Sequence, residues 1–190
     1  MKKLAFALAA SAACALSLSS APATAASMET VEAKMTASSA AAIAREDMYE
    51  AFGDKELKPG GYLWRKVPAS AGPERVVISL GDQLAYLYRG GTLMAVATIS
   101  TGEPGRDTPT GIFTVLGKKP MHRSKKYDNA PMPHSVFFTG GYAIHATDAV
   151  KRLGSPASHG CVRLAPEHAS DFYRLVQVFG QQNTQIVIQR

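Results

Sequence analysis

The sequence contains very little cysteine. Only Cys14 and Cys161 occur in a chain of 190 residues, which excludes the dense disulfide framework of a small secreted scaffold. It also lacks a run of about twenty predominantly apolar residues, the length that a membrane-spanning helix needs. Neither a Cys-x-x-Cys pair nor a His-Glu-x-x-His motif is present, so zinc bound by His134, His145, His159 and Cys161 is a disfavoured alternative. We expect no metal and no other cofactor.

The first 25 residues are typical of a secretion signal. Two lysines follow the initial methionine, residues 4–18 are mainly apolar, and residues 21–25 are small enough for signal peptidase. We predict cleavage after Ala25 and export to the periplasm or the cell envelope. Lipidation of Cys14 competes with this interpretation, because two alanines precede it. Ser11, however, stands where lipoprotein signals usually have leucine.

The charge of the chain is moderately positive. There are 21 basic and 15 acidic residues, a formal net charge of +6, which falls to about +4 when the two signal lysines are removed. Much of the excess surrounds Pro120, in Lys118, Lys119, Arg123, Lys125 and Lys126. A loop with solvated charges is the favoured interpretation, and attraction of an anionic polymer is the alternative. An exported chain without aromatic residues interleaved in this cluster is not expected to bind nucleic acid.

After the signal, the composition changes once. Residues 26–72 form an N-terminal extension that we predict to be partly disordered or helical, with a poorly ordered lead over residues 27–45 and a short helix over residues 45–52 that ends at Gly53. Residues 73–190 have the composition and length of one domain.

The patterning of residues 73–190 predicts a mainly β domain of the β-rich α+β class. Short β-branched or alternating runs separated by glycine turns indicate an antiparallel meander. The predicted strands cover residues 76–80, 84–88, 93–99, 112–115, 135–139, 142–145 and 185–188. One helix should begin at Pro166 and end at Gly180, with apolar residues at helical spacing on one face.

Cys161 is the only cysteine left after signal removal, and it follows a histidine and a glycine. An ordinary thiol is only a few per cent ionised at neutral pH, so a cysteine nucleophile needs a neighbouring base. His159 and His145 are the candidates. We favour His145, because a residue arriving from another strand approaches a thiol more freely than one two positions away.

The residues around Cys161 suggest further roles. Gly160 permits a sharp turn, which would aim the N–H groups of Gly160 and Cys161 at a developing oxyanion; a simple bend in the loop is the alternative. Ser158 is expected either to bond a histidine or to cap a turn.

The string S-H-G-C-V-R-L at residues 158–164, with His145 upstream, closely resembles the signature of the L,D-transpeptidases of bacterial cell walls, the YkuD-type catalytic domain. Further segments resemble that family in the right order, at residues 84–88, 100–102, 108–111 and 141–145. The resemblance covers about residues 75–189. It implies a YkuD-like β-sandwich with a helix after the cysteine loop, preceded here by the short helical extension.

The resemblance also implies roles for individual residues. Cys161 would be the nucleophile, His145 the base, and the Ala146 carbonyl the group that orients the imidazole. Many members have glycine where this chain has Ala146, so the extra methyl is expected to narrow the pocket. His159, Gly160 and Cys161 would line the oxyanion region.

Three residues are expected to bind substrate. Tyr142 either lines the acceptor groove or packs the sheet, and Ser158 lies in the cysteine loop. Arg163 either binds a substrate carboxylate or braces the loop, and bracing is favoured.

The implied substrates are peptidoglycan stem peptides. Cys161 would form a thioester with a tetrapeptide stem, and the acyl group would then be transferred to an amine acceptor, with no need for ATP or a metal. An L,D-carboxypeptidase, a transpeptidase that anchors a wall lipoprotein, and a non-catalytic wall-binding module are the alternatives. The sequence predicts no oligomeric state.

Overall fold

The computed structural model describes residues 31–190, with side chains from residue 39 onward. The predicted signal peptide, with Cys14, therefore lies outside the described residues. Helix α1 spans Val31–Phe52 and α2 spans Pro166–Phe179. The strands are β1 Tyr62–Trp64, β2 Glu74–Ser79, β3 Leu84–Arg89, β4 Thr92–Thr98, β5 Gly111–Thr114, β6 Gly117–Ser124, β7 Ala130–Thr139, β8 Tyr142–Ala146, β9 Val162–Leu164 and β10 Thr184–Gln189.

The strands form two sheets, which confirms the mainly β class. One sheet has six strands in the order β1-β4-β3-β2-β10-β5, and the other has four in the order β6-β7-β8-β9. A common core between the sheets contains Val76 and Ile78 of β2 and Ile144 of β8. The expected antiparallel pairing is correct for β2, β3 and β4 but not throughout, because β10 pairs with β2 and β9 pairs with β8 in parallel.

Helix α1 covers the outer face of the six-stranded sheet. Ala41, Ala44 and Met48 are buried against it in a second cluster that includes Val77 of β2. Their spacing places them on one side of a helix, and two alanines permit close approach to the strands. The six-stranded sheet is therefore apolar on both faces, and little of either face is exposed to solvent.

The helical part of the extension is longer than the sequence predicted. Residues 31–45 are helical, so α1 is longer than the short helix expected from residue 45. The large residues Ile43 and Tyr49 are 54% and 66% exposed, while Met48 and the small Ala41 and Ala44 make the contact. The end was correct: the Gly53 N–H donates to the Tyr49 carbonyl at 2.8 Å and Gly53 has a φ of 75°.

The expected loop around Pro120 is instead a strand, although Lys125 and Lys126 lie in the turn that follows it. Lys118, Lys119 and Arg123 lie on β6, an edge strand paired with β7. Proline is tolerated there, since an edge strand has one side without ladder partners. The charges also suit an edge, because they oppose pairing with another chain. Within residues 31–190, no helix has the length and apolar character of a membrane span.

Candidate active site

His145 lies on β8, and Cys161 immediately precedes β9, the neighbouring strand of the four-stranded sheet. In the parallel pairing of β8 with β9, Ile144 is opposite Val162 and His145 is opposite Arg163. Ile144 and Val162 are at most 1% exposed and belong to the core. Because side chains alternate along a strand, His145 and Arg163 project from the other face. Cys161, two residues before Arg163, reaches that face at the start of β9.

Burial and one hydrogen bond determine the state of the His145 ring. The residue is 5% exposed, and Nδ1 lies 2.7 Å from the Ala146 carbonyl oxygen. Since a carbonyl can only accept, Nδ1 carries the hydrogen and Nε2 has a free lone pair. The Ala146 carbonyl is therefore placed as expected. Its methyl group is packed in the core, so the expected narrowing of the pocket is wrong.

The pKa values of this pair favour neutral partners. Burial lowers the pKa of His145 to about 4, the charge of Arg163 and the neighbouring His122 add to the shift, and the Ala146 hydrogen bond opposes it. Burial raises the pKa of the Cys161 thiol, although a hydrogen bond with the Ala143 backbone and the charge of Arg163 oppose this. At neutral pH the site therefore holds a neutral thiol and a neutral imidazole. An attack by sulfur has to be accompanied by transfer of the thiol proton.

The Cys161 loop, residues 157–161, is closed by its own serine. The Ser158 hydroxyl donates to the Cys161 carbonyl at 2.6 Å and accepts from the Gly160 N–H at 3.0 Å. Of the two roles expected for Ser158, the structure shows the turn cap. The Gly160 N–H is engaged by this contact, so its expected donation to an oxyanion is wrong for this conformation.

Gly160 is needed because space and backbone geometry exclude any side chain. Its φ is 109°, and a Cβ atom there would lie 2.4 Å from the ring of Tyr142. Its carbonyl accepts a 2.8 Å hydrogen bond from the Thr108 hydroxyl, a contact that the sequence did not predict. Tyr142 itself packs against the core, with its ring 6.5 Å from that of Phe138. The packing role for Tyr142 is therefore observed.

A second segment, residues 100–103, supports the loop from outside. Ser100 exchanges two backbone hydrogen bonds with Arg163, at 2.8 and 3.0 Å, and the Thr101 carbonyl accepts from the N–H groups of Ala157 and Ser158 at 2.9 Å each. The Glu103 N–H donates to the Ser158 carbonyl at 3.0 Å. These contacts hold the cysteine in front of β9.

Arg163 and His159 make different contacts. Arg163 is half-buried, and its guanidinium donates to the Ala157 carbonyl at 3.0 Å, which is the bracing contact that the sequence favoured. The ring of His159 stacks on Tyr127 in the β6–β7 turn, with centroids 4.3 Å apart. His159 thus borders the loop and meets the hairpin, while His145 lies on the strand beside the cysteine.

The remaining histidines do not form a metal centre. No group of three metal-ligating side chains comes together in the part of the chain that the structure describes. His134 lies beside Tyr173, with ring centroids 5.7 Å apart. His168 is 8% exposed, and its ring stacks on that of Tyr62 of β1 with centroids 4.0 Å apart.

Comparisons with known proteins agree with this geometry. A sequence model of the L,D-transpeptidase catalytic domain, YkuD, matches residues 73–188. The probable L,D-transpeptidase YbiS of Escherichia coli K12 is 29% identical in a match that covers 55% of this chain and 42% of that protein. L,D-transpeptidase 1 of Mycobacterium tuberculosis H37Rv is 28% identical, over 54% and 46% of the two chains. These matches span less than half the length of either relative.

Solved structures show the same fold. An L,D-transpeptidase from Mycobacterium smegmatis superposes with a TM-score of 0.56 at 24% identity, covering 63% of this chain and 59% of that one. The transpeptidase LdtMt1 in complex with imipenem gives 0.55 at 21% identity, over 62% and 59%. With a family match over more than half of its residues and a sandwich of the same kind, the chain belongs to the L,D-transpeptidase family and carries its YkuD-type catalytic domain.

Proposed function

We propose that this protein is a cysteine-dependent peptidoglycan L,D-transpeptidase, with residues 73–190 as its catalytic domain. The observation that carries the proposal is His145, which the Ala146 carbonyl holds with Nε2 unprotonated on the sheet face that Cys161 shares. A neighbouring histidine base is what activates a cysteine nucleophile.

The first half of the reaction forms an acyl-enzyme. The Cys161 sulfur attacks the carbonyl carbon that follows the L-centre of a diamino acid in a tetrapeptide stem, and the thiol proton passes to His145 Nε2. The developing oxyanion accepts from the Cys161 N–H, since the Gly160 N–H is held by Ser158. The carbon–nitrogen bond breaks, the terminal D-residue leaves with the proton from His145, and a thioester remains.

The second half of the reaction regenerates the free enzyme. An amine of a neighbouring stem peptide loses a proton to His145, attacks the thioester carbonyl and forms the cross-link, and the sulfur takes the proton back. Water in place of the amine would give carboxypeptidase activity, and a lipoprotein lysine would give protein anchoring. Both use the same acyl-enzyme. The substrate class and an exported location follow the family and the signal-like first 25 residues.

Product analysis tests this function. Purified protein incubated with tetrapeptide muropeptides should release the terminal D-residue and give cross-linked dimers, while the matched variant Cys161→Ser should give neither. If only tripeptides and no dimers are formed, the protein is an L,D-carboxypeptidase and not a transpeptidase. Unchanged muropeptides with the wild-type protein would favour the wall-binding module and contradict the proposal.

A further inference from the structure

A buried glutamine lies outside the residues considered so far. Gln83 occupies the turn between β2 and β3, is 3% exposed and has a φ of 53°. Residues other than glycine rarely adopt a positive φ, and those that do so tend to be asparagine or aspartate. The surrounding contacts must stabilise a glutamine that is buried in this unfavourable backbone conformation. Those contacts therefore indicate the role of Gln83.

Both the nitrogen and the oxygen of the Gln83 side-chain amide form hydrogen bonds, and most of these are with Thr101. Its Nε2 donates to the Thr101 hydroxyl at 2.6 Å and to the Leu80 carbonyl at 2.8 Å, and its Oε1 accepts from the Thr101 N–H at 3.0 Å. The Thr101 N–H can only donate, which fixes the orientation of the amide. The two bonds to Thr101 form a closed ring that holds both the backbone and the side chain of that residue.

Thr101 in turn holds the Cys161 loop. Its carbonyl accepts from the Ala157 and Ser158 N–H groups at 2.9 Å each, and Ser158 caps Cys161 through its hydroxyl. A continuous set of bonds therefore runs from the Gln83 amide through Thr101 and Ser158 to the peptide of Cys161. Every member is buried or half-buried, so water competes poorly for these bonds.

We propose that Gln83 is a positioning residue for the nucleophile: it fixes Thr101, and Thr101 fixes the loop that presents Cys161 to His145. This inference rests on the proposed acyl transfer and adds a residue that touches neither substrate nor the reacting atoms. A displacement of about 1 Å at a reacting atom costs up to about a hundredfold in rate, so loss of the Gln83 bonds should lower kcat and leave KM nearly unchanged.

The same turn is attached to the N-terminal extension. Arg45 of α1 donates to both carboxylate oxygens of Asp82, at 2.9 and 3.0 Å, and the Ser79 hydroxyl donates to Asp82 at 2.8 Å. The Arg45 side chain is 61% exposed, so this ion pair is weak. The turn is therefore anchored from both sides, with the stronger attachment toward the Cys161 loop.

Gln83→Asn tests the inference, because asparagine tolerates the positive φ and keeps the amide but lacks the methylene that reaches Thr101. The matched control is Gln189→Asn, at another buried glutamine, whose amide donates to the Arg190 carbonyl instead of the loop. Gln83→Gly is the second variant. Glycine adopts a positive φ without strain, so this variant is expected to fold even if Gln83→Asn does not. Each is assayed for kcat and KM of acyl transfer, for thermal midpoint, and for hydrogen exchange of the Ala157 and Ser158 amides.

We expect both Gln83 variants to lose about tenfold to a hundredfold in kcat, with KM within about twofold, and to exchange the two amides faster. Gln189→Asn should match the wild type in all three. A Gln83→Gly protein with wild-type kcat and wild-type exchange would overturn the inference. If the wild-type protein forms no acyl-enzyme, the proposed function fails, and the exchange measurement still decides whether Gln83 holds the loop.

Discussion

The Cys161 loop and helix α1 are stabilised in opposite ways. The loop has the sequence Ala-Ser-His-Gly-Cys, and hydrogen bonds to Ser158, Thr101 and Thr108 hold its backbone. Helix α1 packs on the sheet mainly through the apolar contacts of Ala41, Ala44 and Met48. Two polar contacts accompany them: Arg45 donates to Asp82, and the Tyr88 hydroxyl donates to Asp47. Directional bonds fix a position, and apolar burial supplies free energy without fixing one atom. Substitutions should therefore separate the two regions: loop variants lose rate, and α1 variants lose stability.

The largest expected effect is on rate, at the base. His145→Gln keeps an N–H that can donate to the Ala146 carbonyl but removes the lone pair that accepts the thiol proton. We expect about a thousandfold lower rate of acyl transfer with little change in thermal midpoint at pH 7. His159→Gln is the control, because its ring meets Tyr127 instead of the β8 strand. Equal losses in the two variants would remove the assignment of the base.

The same histidine should make stability depend on pH. Its folded pKa of about 4 lies below the ordinary value of 6.5, so the unfolded chain binds the proton more tightly. The stabilisation is therefore complete above pH 6.5 and is lost as pH falls toward 4, by up to about 3 kcal/mol. Urea denaturation at several pH values should show a smaller loss in His145→Gln than in the wild type. Parallel curves for the two proteins would mean that burial does not depress this pKa.

Gly160→Ala should affect both quantities, with rate the more sensitive. The new Cβ would meet the Tyr142 ring at 2.4 Å, and alanine disfavours a φ of 109°. Displacement of the loop should reduce acyl transfer about thirtyfold, and the strained backbone should cost about 1–3 kcal/mol of stability. Gly154→Ala is the comparison: its φ is 91° but nothing lies within 4 Å of its Cβ. Similar rates in the two variants would show that the Tyr142 contact is unimportant.

The smallest effect on rate is expected in α1. Met48→Ala should lower the free energy of unfolding by about 2 kcal/mol, since a methionine that is 8% exposed loses its burial. Tyr49→Ala, at a side chain 66% exposed, should change it by about 0.5 kcal/mol or less. Chemical denaturation measures both, and kcat per folded molecule should stay at the wild-type value. A tenfold fall in kcat for Met48→Ala would show that α1 also positions the site.

The sequence was more informative about the site than about the sheets. A nucleophile, a base and a carbonyl at Cys161, His145 and Ala146 were predicted, because a motif joins chemistry to spacing. The pairing of β9 with β8 was not, since three residues show no periodicity. The contacts of Gln83 and Thr108 were also missed, because they join residues distant in sequence, and burial of His168 depends on a strand from the extension.

The packing of helix α1 was also only partly predictable from the sequence. The size of its apolar residues does not show which face is buried: Met48 is buried, but Ile43 and Tyr49 are exposed, and Ala41 and Ala44 complete the contact. The depth of a contact depends on how closely two elements approach. The β-branched run of β2 predicted a strand, but not that both of its faces would be covered. Local pattern thus predicts elements, and the packing partner decides which face is buried.

Mass spectrometry of the acyl-enzyme tests the central claim most directly. The intact protein is incubated with a carbapenem, digested and mapped, beside Cys161→Ser, which keeps the side-chain volume but replaces the sulfur nucleophile. The account predicts a single adduct on the peptide that contains Cys161 in the wild type, none in Cys161→Ser, and much slower formation in His145→Gln. An adduct on another residue, or none in a folded wild-type protein, would contradict it.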